Sequence, residues 1–81
     1  MTVTVELFAM LSQAVNAREV TITLPDGATV GQLLSHLPKT YPALAPLLAS
    51  VSVAVNMSYA MVDDILTEND QIALIPPVSG G

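Results

Sequence analysis

The clearest chemical potential of this sequence lies in its last residues, where Pro76-Pro77 is followed by Val78-Ser79 and by Gly80-Gly81. Proline fixes φ and glycine has no Cβ, so these residues predict a narrow, flexible thread that starts from a stiff base. The thread would present the α-carboxylate of Gly81 inside a channel too narrow for other residue pairs. A frayed chain end without chemical importance is the alternative interpretation.

Other catalytic constellations are missing from the sequence. It has one histidine and no cysteine, and it contains no glycine-rich phosphate loop. His36 lies between leucines on a predicted helix, which favours a packing or surface role. The adjacent acids Asp63 and Asp64 offer no convergent set of ligands, so we expect a solvated loop there and no metal site.

Composition and charge favour a protein partner. Hydrophobic residues make up 52% of the 81 residues and charged residues 11%, compared with roughly 25% charged in an average globular chain. Some apolar side chains must therefore face outward, which is typical of a surface that binds another protein. The net charge of −5 repels phosphate backbones and anionic membranes, so neither nucleic-acid nor membrane binding is expected. With no membrane-spanning segment and no basic signal sequence, we expect a cytoplasmic protein.

Alternating apolar and polar residues predict the strands. The segment Thr2–Leu7 alternates at a period of two, which places Val3, Val5 and Leu7 on one face and Phe8 on the other. The same pattern predicts four further strands: Glu19–Leu24, Val51–Val55, a short edge strand Tyr59–Val62, and Gln71–Ile75.

Helical spacing and capping signals predict the helices. A short helix is expected over Ala9–Val15. Thr29 and Gln32 form a capping-box pattern that starts a second helix, and Pro38 is expected to stop it. One or two further helical turns are expected over Pro42–Ala49.

This order of elements predicts an α+β fold, a mixed sheet of four to five strands with helices packed on one face. The first and last strands are the most apolar, so we expect them to be central and parallel. Residues 1–76 are expected to form this domain and residues 77–81 the Gly-Gly tail. On the helix-free face, Phe8 and Ile75 are expected to share an apolar patch with Ala73 and Tyr59, at the base of the tail.

Five segments carry a family resemblance: Leu7-Phe8-Ala9, Leu24–Val30, Val53–Asn56, Leu66–Asp70 and Pro76–Gly81. Together they resemble the ubiquitin-like sulfur carriers, and among these the small subunits of molybdopterin synthase. The resemblance spans nearly the whole chain, and the tail is its most specific part. This family usually has glycine where Asn69 stands, and we expect Asn69 to adopt the positive φ that glycine would supply.

The resemblance implies a β-grasp fold and a cycle of sulfur transfer. In that cycle an activating enzyme uses ATP to adenylate the carboxylate of Gly81, because AMP leaves far more readily than a carboxylate oxygen. A sulfurtransferase or desulfurase then supplies the sulfur of a C-terminal thiocarboxylate, which needs no cysteine in the carrier. No resident cofactor is implied, and Gly80 and Gly81 would occupy the channel.

The resemblance also implies that catalysis belongs to a partner. The carrier would be the small subunit of molybdopterin synthase, not an enzyme on its own, in a heterotetramer of two small and two large subunits. Its tail would enter a pocket of the large subunit and give sulfur to cyclic pyranopterin monophosphate, in molybdenum cofactor biosynthesis. The patch of Phe8, Tyr59, Ala73 and Ile75 would bind the large subunit and the activating enzyme in turn.

Three other functions stay open at this point. The sulfur carrier of thiamine biosynthesis shares the fold, the Gly-Gly end and the activation chemistry, although its members are usually shorter and lack the Pro-Pro tail. A ubiquitin-like protein modifier would join its terminal glycine to lysines of target proteins. A bare interaction module would use no tail chemistry.

Overall fold

In the computed structural model, which describes residues 1–77, the first and last strands lie side by side in a five-stranded sheet. The strands are β1 Thr2–Leu7, β2 Glu19–Thr23, β3 Ser52–Val55, β4 Ser58–Tyr59 and β5 Ile72–Ile75. Their spatial order is β2-β1-β5-β3-β4, in which β1 and β5 are parallel and the other neighbouring pairs are antiparallel. The central parallel pair expected from the sequence is confirmed.

Three helical segments cover one face of this sheet: α1 Met10–Val15, α2 Val30–Thr40 and a 3₁₀ helix Pro42–Ser50. Each contributes leucines to a single core with the inward residues of the strands, and Leu11, Leu33 and Leu44 are fully buried there. No polar or charged residue among residues 1–77 is buried. The expected α+β class, with helices on one face of a mixed sheet, is confirmed as a β-grasp arrangement.

The start of α2 forms as predicted, but its end does not. The Thr29 hydroxyl accepts from the Gln32 N–H at 3.2 Å, and the Gln32 side chain accepts from the Thr29 N–H at 2.9 Å, which completes the capping box. The prediction that Pro38 stops the helix is wrong, since α2 continues to Thr40. Proline removes only one N–H donor from the helix. The next turn closes with a hydrogen bond from the Tyr41 N–H to the Leu37 carbonyl, at 2.7 Å.

The predicted edge strand Tyr59–Val62 is wrong in extent, because β4 contains only Ser58–Tyr59. After β4 the chain turns toward the start of α2, where the Gly31 N–H donates to the Val62 carbonyl at 2.9 Å. The first amides of a helix have no acceptor within the helix, so they compete for the carbonyls of a passing segment. A Cβ at Gly31 would lie 3.3 Å from that carbonyl oxygen, so glycine permits this close approach.

The turn before β5 is organised by Asp70 and not by a left-handed Asn69. Among residues 1–77, the residues other than glycine with positive φ are Ala9, Asn16, Asn56 and Met57, so the expectation for Asn69 is wrong. The Asp70 carboxylate instead accepts from the Thr67 N–H at 2.8 Å and from the Asn56 side-chain amide at 3.0 Å. These bonds lower the pKa of Asp70, the backbone bond from Thr67 most of all. A carboxylate thus closes the turn without help from glycine.

No helix within residues 1–77 has the length and apolarity needed to cross a membrane.

We expect Asp70 to contribute to the acid sensitivity of the fold. Its folded pKa lies below the unfolded value of about 3.9, so its stabilisation is present above that pH and is lost as the pH falls through the folded pKa. Asp70→Asn cannot titrate and loses one of the two accepted bonds. The variant should be less stable than the wild type at neutral pH, and the difference should shrink on acidification below about pH 4.

Urea denaturation across this pH range measures that difference. The control Asp63→Asn removes a charge from an exposed loop and should follow the wild-type pH dependence. If the free energies of unfolding of Asp70→Asn and the wild type differ by the same amount at every pH, the stability does not depend on titration of Asp70, which contradicts the prediction.

Candidate functional site

An apolar groove of about 380 Å³ crosses the helix-free face of the sheet. The four residues expected to form a patch, Phe8, Tyr59, Ala73 and Ile75, all line it. The structure therefore brings these residues together, and their contact with a partner stays a prediction. The groove is completed by Glu6, Ala54, Met57, Gln71 and Ile72.

The pairing of β1 with β5 explains why this groove forms. Leu7 and Leu74 are register partners and are both buried against the helices. Because side chains alternate along a strand, the next residues, Phe8 and Ile75, both belong to the opposite face. Phe8 remains 47% exposed, and Ile75 is half-buried beside it on the groove wall. Two distant parts of the chain thus build one apolar wall.

The far side of the groove comes from the β3–β4 hairpin. Ala54 and Tyr59 are register partners across this hairpin, and Tyr59 is 75% exposed. Ala73 of β5 pairs with Ala54, so two small side chains lie next to each other in the lining of the groove. Pairing with Ala54 places Tyr59 on the helix-free face, as expected from the sequence.

The predicted patch did not include five groove residues, namely Glu6, Ala54, Met57, Gln71 and Ile72. Alternation along β1 and β3 was sufficient to place Glu6 and Ala54 on the helix-free face. No periodic signal could place Met57, because it lies in the two-residue turn between β3 and β4. Its position depends on the turn conformation alone.

Two carboxylates stand at one end of this face. Glu6 of β1 and Glu19 of β2 are register partners, and both are exposed on the helix-free side. The ion pair within residues 1–77 joins the N-terminal ammonium to Asp26, away from these two groups. Like charges directly opposite each other on neighbouring strands are destabilising. The site therefore combines an apolar groove with two carboxylates at one end, where Arg18 lines a neighbouring cavity together with Glu6 and Glu19.

The chain leaves the sheet next to the groove. Pro76 is half-buried and Pro77 is exposed, directly after Ile75. Val78-Ser79 and Gly80-Gly81, on which the tail predictions rest, lie outside the described residues. The boundary between a domain of residues 1–76 and a tail of residues 77–81 stays a prediction.

The remaining titratable candidates have local structural roles. His36 Nδ1 lies 2.8 Å from the Gln32 carbonyl oxygen one turn earlier in α2. The Asp64 carboxylate accepts from the Met61 N–H at 2.9 Å and closes a short loop. Within residues 1–77, no group of three or more histidines, cysteines and acids is placed to hold a metal ion.

Comparison with known proteins identifies the family to which this chain belongs. The model of the ThiS family matches residues 5–81, which is nearly the whole chain. This chain belongs to the ThiS family.

Three known proteins illustrate the membership. The molybdopterin synthase sulfur carrier subunit of Dictyostelium discoideum is 40% identical, and the match covers 93% of this chain and 91% of that protein. The crystal structure of SAMP1 from Haloferax volcanii has a TM-score of 0.87 at 30% identity and covers both chains completely. A chain from the complex of subunits 1 and 2 of the molybdopterin-converting factor of Helicobacter pylori also covers both chains completely, with a TM-score of 0.71. At 24% identity, this last likeness concerns the fold.

The carboxylate pair leads to a prediction about stability. Glu19→Gln removes the charge that faces Glu6 and should stabilise the fold by about 0.2–1 kcal/mol at low ionic strength. The gain should shrink in high salt, because exposed charges are screened. Thermal melts at low and high salt measure both effects. The variant Glu68→Gln removes one charge from an exposed turn and serves as the control. An equal gain in stability in this control would show that the effect comes from net charge, which contradicts repulsion between Glu6 and Glu19 as the cause.

Proposed function

We propose that this protein is a sulfur carrier of molybdenum cofactor biosynthesis. It bears a C-terminal thiocarboxylate on Gly81 and donates its sulfur, within molybdopterin synthase, to cyclic pyranopterin monophosphate. The observation that carries the proposal is the 40% identity, over nearly the full length of both chains, to a protein named molybdopterin synthase sulfur carrier subunit. The groove at the base of the tail supports it, because an enzyme that receives Gly81 must press against this face.

The carrier's chemistry starts from the Gly81 carboxylate. One carboxylate oxygen attacks the α-phosphorus of ATP, and pyrophosphate leaves. A sulfur nucleophile from a sulfurtransferase or desulfurase then attacks the acyl carbon, and AMP leaves as the C–S bond forms. When that nucleophile is a persulfide of the donor, the product is an acyl disulfide, and a second thiol then attacks the donor sulfur. The S–S bond to the acyl sulfur breaks, the donor leaves as a disulfide with this thiol, and the thiocarboxylate remains on Gly81. Gly80 has no Cβ and lets the tail pass through the channels of both enzymes.

In this proposal the catalytic pocket belongs to a large subunit. The groove on residues 1–77 is lined mainly by apolar and small side chains, with one amide, Gln71, and one carboxylate, Glu6, which suits docking better than catalysis. The Helicobacter pylori chain of similar fold comes from a complex of two subunits, which supports a two-component enzyme. We propose a heterotetramer of two small and two large subunits in the cytoplasm, with the activating enzyme using the same face at a different step.

A protein modifier is the second candidate function. Two comparisons favour it: the structural likeness to SAMP1 of Haloferax volcanii, and the 33% identity of this chain to the small archaeal modifier protein 1 of that organism. A modifier would end in an isopeptide bond between Gly81 and a lysine of another protein. A carrier would return with a free carboxylate after each cycle, so the fate of Gly81 separates the two functions.

Intact-mass spectrometry tests the proposed chemistry. After incubation with a candidate activating enzyme, ATP and a sulfur donor, the mass should rise by the difference between one sulfur and one oxygen. Deletion of Gly81 should abolish this shift and leave the melting temperature unchanged, because the deleted residue lies beyond the core-forming strands. An unchanged wild-type mass, with an activating enzyme proven active on another carrier, would contradict the proposal. Conjugates of higher mass would favour the modifier.

The groove's role in docking is tested by Phe8→Arg. Phe8 is 47% exposed, so the variant should keep a near-normal melting temperature. Loss of an aromatic anchor at an interface should weaken binding of the large subunit by about thirty-fold or more in calorimetry. Val62→Arg changes an exposed apolar side chain outside the groove and should bind normally. Unchanged affinity of Phe8→Arg would mean that Phe8 is incidental.

A further inference from the structure

The turn between β3 and β4 contains an unfavourable residue. Val55 and Ser58 are register partners, so Asn56 and Met57 form a two-residue turn, with φ of 53° and 70°. Two positive φ values characterise the type I′ turn, in which asparagine followed by glycine is the preferred pair. Asn56 fits that pattern. Met57 does not, because a side chain in the left-handed conformation crowds its own backbone.

No contact in the fold compensates for this strain at Met57. Its side chain is 91% exposed, the highest value among the large hydrophobic residues of the described chain. An exposed thioether in a conformation that favours glycine is therefore explained neither by packing nor by turn geometry. Strained residues of this kind concentrate at functional sites.

Hydrogen bonds to the segment before β5 hold this turn in place. The Asn56 N–H donates to the Gln71 carbonyl at 2.8 Å, and the Gln71 N–H donates to the Asn56 side-chain oxygen at 2.9 Å. The Asn56 amide also donates to Asp70 at 3.0 Å. These bonds join the hairpin to the segment that leads into β5, so Met57 keeps its place on the lining of the groove.

We propose that Met57 is a partner-contact residue that extends the groove and is retained there at the expense of fold stability. The inference rests on the proposed function, and its occupant is the large subunit, which would present an apolar pocket to Met57 and basic groups to Glu6 and Glu19. Continuity carries the argument, because Met57 lines the same groove as Phe8 and Tyr59. Charge also supports the proposal, because the chain has a net charge of −5 and, among residues 1–77, this end of the face has two carboxylates, Glu6 and Glu19, against the single cation of Arg18.

Methionine suits this position for a physical reason. Its side chain is unbranched and polarisable, so it fills differently shaped apolar pockets at a small energetic penalty. A carrier that docks first on an activating enzyme and then on a large subunit must fit two surfaces with one face. A flexible thioether at the rim of the groove meets that requirement better than a rigid side chain.

The test exploits opposite effects on stability and binding. Met57→Gly and Met57→Asn introduce residues that accept positive φ, so both should raise the melting temperature. Asparagine does this without the increase in conformational entropy of the unfolded chain that glycine causes. Both should weaken binding of the large subunit at least five-fold in titration calorimetry at 25 °C. Met57→Leu keeps the apolar bulk and should bind within about three-fold of the wild type. Met61→Ala removes an exposed methionine outside the groove and should bind normally.

The outcomes separate the inference from the function on which it rests. Wild-type affinity in both Met57→Gly and Met57→Asn would overturn the inference while leaving the proposed function intact. A lower melting temperature in both variants would also overturn it, because the residue would then stabilise the fold. A wild-type protein that fails to bind the large subunit would overturn the proposed function and the inference together.

Discussion

The parallel pairing of β1 with β5 is the interaction on which the rest of the structure depends. It joins the first and last strands at the centre of the sheet, where Val5 pairs with Ile72 and Leu7 with Leu74. These four side chains are buried, so their contact with the helices fixes which faces of both strands are inward. A shift of one residue would move the inward set to solvent. The same pairing brings the end of β1 beside the point where the chain leaves the sheet at Pro76.

This arrangement keeps the chain's scarce polar groups out of the helix-covered face of the sheet. The helix-covered face contains hydrophobic side chains alone among the buried residues described, so the core tolerates no charge. The carboxylates must therefore lie outside, and Glu6 and Glu19 face each other on the helix-free side. Some of the apolar residues that the core does not use, Phe8 and Tyr59 among them, lie on that same side. The helix-free face therefore has an apolar groove with two carboxylates at one end.

Hydrogen bonds at one corner of the sheet stabilise this surface. Asn56 and Asp70 connect the β3–β4 hairpin to the turn before β5, and each takes part in more than one bond. The hairpin can therefore hold a strained Met57 at its tip, since neighbouring bonds maintain the conformation. The stability of this corner and the shape of the groove are linked, because both depend on the hydrogen bonds that hold the hairpin in place. The groove is in this respect a preformed surface.

The sequence by itself determined the local elements and their inward faces. Alternation in β1 identified Val3, Val5 and Leu7 as core residues, and the Thr29–Gln32 capping box marked the start of α2, because both signals depend on near neighbours. The tertiary structure alone decided what depends on distant partners. It shortened β4 through hydrogen bonding to the start of α2, carried α2 past Pro38, and placed Met57 at the groove through a turn conformation that no periodicity encodes. These features depend on which hydrogen-bond donors and acceptors from distant parts of the chain pair with each other, and a local sequence pattern contains no information about that choice.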